Sequence, residues 1–332
     1  MPNPLGEGFG SYFAAKIMTR ALVLLFTGSA LFAASSPDWI QELGGTVERD
    51  PAGDIIALHL RGTWVTDAEL LDVARLPKLE RLDLAHTRIT DEGLLHLKPA
   101  KQIQDLNLFY AEQVTDRGIS AIKDWQHLNR LNVRGTRIAD GALPIIGGLT
   151  QLESLDIAYT QFTDNGLDAL VPLTHLKNLA VGRSKLTKNA LEVLRLLPTL
   201  ESLDLGGPHP GPDGYRRTAG SPMDDDLPTA LTELKQLRVL NLSYSQIRAD
   251  GLKILAALDQ VSKLSLTGCP RVDDLALAEL AKWKSLQYLD IQEAAATAQG
   301  VEALEKAKPG IVILSGPFPP SHPAGATAAE SK

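Results

Sequence analysis

The sequence predicts an α/β solenoid, a stack of strand-and-helix units along one axis, on three observations. A unit of about 24 residues recurs, starting at Ile55, Leu79, Ile103, Leu128, Leu152, Leu176, Leu200, Leu237, Val261 and Leu286, with spacings of 24, 24, 25, 24, 24, 24, 37, 24 and 25. Each unit opens on an LxxLxL alternation such as Leu79, Leu82 and Leu84, which turns positions four and six inward and positions three, five and seven outward. An apolar run at helical spacing follows, as in Ile89-Thr90-Asp91 leading to Leu94 and Leu97. Stacked units make a parallel sheet on one face, and a fixed repeat favours one extended domain over two globular ones.

Composition sets the outer bounds. A 44% hydrophobic and 22% charged chain can bury a core. A net charge of −7 argues against nucleic acid, whose phosphates call for a basic footprint. Cys269, the one cysteine, rules out an internal disulfide framework and a cysteine-rich zinc site, and no cofactor motif is present.

From the N-terminus, Lys16 to Arg20 is followed by 13 apolar residues, Ala21 to Ala33, and the small-residue exit Ala34-Ser35-Ser36-Pro37. This is the layout of a secretory signal peptide, so residues 1–35 are expected to be removed near Ala33 to Ser35 and the chain exported, to periplasm or exterior. Met18 would start a leader of more usual proportions, making residues 1–17 a mis-assigned extension. An uncleaved membrane anchor is the rival, although a span needs roughly 20 apolar residues. Residues 36–54 are expected to cap the solenoid's open end, with a short helix from Asp38, a break at Gly44-Gly45, a strand at Thr46 to Arg49 and a turn over Asp50 to Gly53. Trp39, Ile40 and Leu43 are its lid.

Residues 55–315 carry the ten repeats. The Thr-Asp pairs Thr66-Asp67, Thr90-Asp91, Thr115-Asp116 and Thr163-Asp164 supply acceptors at helix starts, so these aspartates are expected to cap rather than catalyse. Cys269 sits where other units place Thr63, Thr87, Thr136, Thr160, Ser184 and Ser245, a small group that bonds backbone at the bend. Trp125 and Trp283 replace leucines on the helix side, whereas Trp64 stands where other units hold Arg88, Arg137, Gln161, Lys185 and Gln246. Trp64 is therefore expected to be partly exposed.

The chain resembles bacterial leucine-rich-repeat proteins of the cysteine-containing or GALA-like type, whose units read LxxLxLxxTxITDxGLxxL; Leu79 to Leu97 follows that pattern almost throughout. The resemblance runs from Trp39 to about Ser315 and implies a right-handed arc with the parallel sheet concave, short helices convex, and partners bound by exposed strand residues. Some relatives carry an F-box and act in ubiquitin ligases, but the stretch between the expected leader and Ile55 is too short to be one.

Outward positions read across repeats give a candidate binding face. The fifth position runs through Asp83, Asn107, Asn132, Asp156 and Asp204, beside Arg81, His86, Phe109, Tyr110, Arg134, Tyr159 and Arg183. Aromatic and arginine side chains are the types enriched in interface hot spots, and Phe109, Tyr110, Arg134, Tyr159 and Arg183 are expected at the centre. Asp156 and Asp204, two strands apart, are expected roughly 10 Å from each other at ~4.8 Å per strand, a poor fit to the carboxylate pair of a glycosidase. No nucleophile, metal or phosphate-loop motif appears, so a non-enzymatic role is expected.

The seventh unit is interrupted at 206–222, where Tyr215, Arg216 and Arg217 are candidate ligand contacts on a rim loop. Asp224 to Asp226 then read as a helix cap. The last unit degrades after Gln292, Ile311 to Leu314 supply a final strand, and residues 316–332 form a Pro- and Ala-rich tail expected to be disordered. The function expected is recognition of a protein or peptide on the concave face. The alternatives are a self-assembling envelope component and a secreted effector acting on host ubiquitin-type machinery.

Overall fold

The computed structural model of the protein describes residues 38–183, 190–207 and 227–316. The leader and tail expectations, most of the interruption with Tyr215, Arg216 and Arg217, Asp224 to Asp226, and the positions of Ser184 and Lys185 lie outside those residues.

Among the described residues twelve strands form one sheet in chain order: β1 (Thr46–Arg49), β2 (Ile55–His59), β3 (Arg81–Asp83), β4 (Asp105–Asn107), β5 (Arg130–Asn132), β6 (Ser154–Asp156), β7 (Asn178–Ala180), β8 (Ser202–Asp204), β9 (Val239–Asn241), β10 (Lys263–Ser265), β11 (Tyr288–Asp290) and β12 (Val312–Leu314). All neighbours are parallel except β1 on β2, a hairpin turned over Asp50 to Gly53. Register follows the repeat. Leu82 pairs with Leu106, Leu106 with Leu131, and so on to Leu289, so the fourth-position leucines form one row. β8 pairs directly with β9, Leu203 against Leu240, so the 37-residue unit keeps the ladder in phase.

Leucines at positions one, four and six meet helix-side leucines in one continuous core, in which Leu79, Leu82, Leu84, Ile89, Leu94 and Leu97 are all buried. Each such side chain stabilises the fold by about 1.5–3 kcal/mol, and no repeat could supply that burial alone. Trp125 and Trp283 belong to this core, their indole N–H groups donating to the carbonyls of Lys98 and Leu252. Thr63, Thr87, Thr136 and Thr160 each donate a hydroxyl to the carbonyl three residues back, closing the bend after the strand. Cys269 is buried at that position with its thiol on the Leu242 carbonyl.

The helix starts are organised more tightly than local capping. Thr90, Thr115 and Thr163 cap their own helices, accepting from the backbone N–H two residues on. The aspartates that follow Thr66, Thr90 and Thr115 cap the next repeat instead. Asp67 accepts the N–H and hydroxyl of Thr90 at 2.8 and 2.6 Å, and Asp91 does the same for Thr115 at 2.8 and 2.6 Å. Asp140 serves Thr163 and Asp274 serves Thr297 in the same way, while Asp116 accepts the N–H of Ala139. The expectation of a cap at each helix's own start is thus corrected for the aspartates. Placed in the first helical turn, their side chains lie beside the neighbouring repeat. The glycine of the TDxG pattern makes the room: a Cβ on Gly118 would stand 2.5 Å from Asp91 Oδ1 and one on Gly93 2.3 Å from Asp67 Oδ1.

Both ends follow the same logic. Trp39 and Ile40, on the helix Asp38–Glu42, enter the core, with Leu43 partly buried beside them. The last unit is more complete than its residues suggest. Ala294 and Ala296 are buried in the places of larger side chains, and Thr297 caps a ten-residue helix, Ala298–Ala307, that leads to β12.

Candidate partner-binding face

In nine of the repeats the eighth residue leaves the strand through a left-handed turn. His86, Tyr110, Tyr159, Arg183, Tyr244 and Glu293 have φ between 54 and 61°, and Gly62, Gly135 and Gly268 between 64 and 74° at the same position. Hydrogen bonds impose the conformation: the N–H of His86 donates to the carbonyl of Phe109, that of Tyr110 to Arg134, and that of Tyr159 to Gly182, carrying the ladder three residues past the strand. Glycine adopts this backbone freely, whereas another residue costs about 1 kcal/mol. The chain accepts that cost at six described repeats and places mostly aromatic or charged side chains there.

Those side chains meet. His86 stacks on Tyr110 at 5.6 Å and meets the edge of Phe109 at 5.0 Å; Phe109 and Tyr110 are 4.8 Å apart. Tyr110 leans over Gly135, whose missing Cβ leaves room for the ring, and reaches Tyr159 at 6.4 Å. Guanidinium groups extend the cluster at both ends, Arg61 over Phe109 at 5.5 Å, and Arg134 and Arg183 over Tyr159 at 4.7 and 5.0 Å. Phe109, Tyr110, Arg134, Tyr159 and Arg183 therefore stand together, joined by His86. Arg81 lies apart, paired with Glu48 of β1 at 2.6 Å.

The fifth-position ladder has a structural task. Asp83, Asn107, Asn132, Asp156 and Asp204 each accept the backbone N–H two residues on, within 2.8–3.1 Å, fixing the strand exit. One oxygen of each is committed to the backbone. Asp156 and Asp204 are nonetheless closer than strand spacing predicts, because Arg134 Nη1 bridges their Oδ2 atoms at 3.2 and 3.6 Å across the small Ala180. The expected 10 Å separation is corrected by this shared arginine, which occupies both carboxylates.

Electrostatics across this bridge are unequal. Burial works against the Arg134 charge, but Asp156, Asp204 and the Tyr159 hydroxyl together hold it above its ordinary value. Burial raises the Asp156 carboxyl, and Arg134, shared with Asp204, only partly opposes that rise. A folded-state value above the unfolded one favours folding below the unfolded value and loses that contribution as pH rises through the folded value. Asp156→Asn, which keeps the backbone acceptor, is expected to match the wild type in denaturant melts at pH 3 and to exceed it at pH 7.

Trp64 is 69% exposed and covered on one side by Arg88 at 4.7 Å from the ring centroid. What strand alternation did not reveal is the eighth-position backbone, although the exchange of glycine with aromatic residues at Gly62, Tyr110, Gly135 and Tyr244 is a visible signal of it.

The Leucine Rich repeat family matches residues 75–97, 148–171 and 235–256. No curated protein sequence matches the chain significantly. Among solved structures, an internalin (inlF) from Listeria monocytogenes is similar at 17% identity and a TM-score of 0.44, over 84% of this chain and 87% of that one. A leucine-rich-repeat protein of Leptospira interrogans is similar at 19% identity and 0.47, over 73% of this chain and 62% of that one. The ectodomain of the Arabidopsis receptor kinase HAESA, solved with an N-terminally extended IDA peptide hormone, is similar at 17% and 0.49, over 75% of this chain and 40% of that one. The family matches fall on three repeats of the twelve-stranded sheet, and the chain has the leucine-rich-repeat solenoid fold.

Proposed function

We propose that the protein is an exported, non-enzymatic recognition module of a bacterial envelope or exterior that binds a protein or peptide partner on its sheet side. The observation that carries this reading is the ring cluster His86, Phe109, Tyr110 and Tyr159 with its flanking arginines, built largely at backbone positions where glycine would cost less. Local strain kept in place by surrounding hydrogen bonds, and spent on outward aromatic side chains, is a mark of a working surface. Rigid rings and planar guanidinium groups give contact area with little entropy to lose.

The test is affinity capture with the tagged full chain recovered from the exported fraction, beside a Tyr110→Ala/Arg134→Ala variant of matched melting behaviour. One or more proteins retained by the wild type and lost from the variant is the expected result. Equal retention by both contradicts the reading. Intact mass of the exported chain is expected to place its first residue just after Ala33 to Ser35, and a cell-retained, full-length chain contradicts export.

A further inference from the structure

Beside the ring cluster, on the bend that follows the strands, lies a groove of about 520 Å³. We propose that this groove binds a carboxylate of the partner, so that the recognised segment carries an acidic group next to the part that meets the rings. The proposal rests on the partner-binding reading and adds the charge the partner must present.

The groove arises from an irregularity of the repeat. The third unit is 25 residues long, and its extra residue falls in the bend, where Glu112-Gln113 stand in place of the single Arg88 of the second unit. Gln113 bridges to Thr90 of the second repeat, and buried Thr87 lines the floor. His86 and Tyr110 line the groove and also stack on each other, so one ligand can engage the rings and the groove together.

Arg88 and Arg137 line it from the second and fourth repeats. Elsewhere along this acidic chain, exposed arginines are mostly spent: Arg81 on Glu48, Arg117 on Glu92 and Arg130 on Asp105. Among the described residues Arg137 has no side-chain partner, and the contact of Arg88 is the face of Trp64. A guanidinium lying on a ring keeps its N–H edge for an acceptor, and its fork matches the two oxygens of a carboxylate. Glu112 lines the same groove beyond ion-pair distance of both arginines among the described residues, which leaves the balance positive by one. That balance suits a monoanion better than a dianion such as a phosphate. The other 25-residue unit provides a contrast. It holds Pro270-Arg271 at the corresponding bend, but Arg271 donates to Gln246 Oε1 at 3.4 Å, so the extra residue alone does not leave guanidinium groups open.

The experiment is selection of random twelve-residue segments on the full chain, from one library fused at both ends and a second with a free C-terminus. Enrichment of Asp or Glu at a fixed distance from an enriched apolar position is expected in the fused library. Dependence on the free end alone would assign the carboxylate to a chain terminus. In either arm, R88Q/R137Q is expected to reduce the preference at least tenfold while keeping the apolar preference and the far-ultraviolet circular dichroism of the wild type. Segments that need Tyr110 and Tyr159 but show no carboxylate preference, or a preference unchanged in R88Q/R137Q, overturn this inference and leave the partner-binding reading standing. No enrichment on the wild type counts against both.

Discussion

Replacing Asp91 by alanine is expected to cost about 2–4 kcal/mol of stability, because it removes two charge-assisted hydrogen bonds and leaves the Thr115 N–H and hydroxyl half-buried without their acceptor. The loss reaches beyond its own repeat. Asp91 holds Thr115, which in turn caps the helix Asp116–Ile119 of the third repeat, so one substitution loosens the junction between two stacked units. Gly118→Ala should destabilise through the same junction, since its Cβ would displace the Asp91 carboxylate. Asp250→Ala serves as the control. The chain already holds Ala249 at the relay position of the eighth repeat, and Gly251 there faces Ile247 and Pro228 rather than a carboxylate. A change within about 0.5 kcal/mol is expected for that exposed residue. Urea melts of the three variants measure the differences; equal melts for Asp91→Ala and wild type would remove the relay from the account.

The second large effect is on binding. Tyr110→Gly/Tyr159→Gly is expected to weaken partner affinity at least a hundredfold, about 2.7 kcal/mol, while each glycine changes stability by only about 1 kcal/mol. Lost ring packing and relieved left-handed backbone oppose each other at these positions, φ 54 and 60°. The corresponding alanine variants keep the strained backbone and lose the ring, so alanine is expected to be less stable than glycine by about 1 kcal/mol, the reverse of its order in a helix. Melting curves and surface-binding titrations on the wild type and on the glycine and alanine variants separate the two effects. Alanine more stable than glycine would show that the backbone carries no strain there.

Much of this architecture was legible in the residues. The LxxLxL alternation placed Leu82 and Leu84 in the core, and the position shared by Thr87, Thr136 and Cys269 announced the bend. The asparagine and aspartate ladder was visible too, but its task was not, because alternation says which way a side chain points and not which backbone N–H it meets. The aspartate relay escaped for a related reason. Capping rules concern neighbours in sequence, whereas Asp67 and Thr90 are 23 residues apart and meet only once the repeats are stacked. Clustering of Phe109, Tyr110 and Tyr159 followed from counting positions, but the part played by Gly135 in admitting the Tyr110 ring depends on how side chains of adjacent repeats pack, which position counting does not show.

The central claim is that recognition belongs to the side chains the repeat leaves free on the sheet side. Covalent footprinting of tyrosine and histidine with the captured partner present tests it most directly. Protection of His86, Tyr110 and Tyr159, with His127 and His175 as reactive as in the free chain, is the predicted result. Protection of His127 and His175 with Tyr110 and Tyr159 unchanged would contradict it.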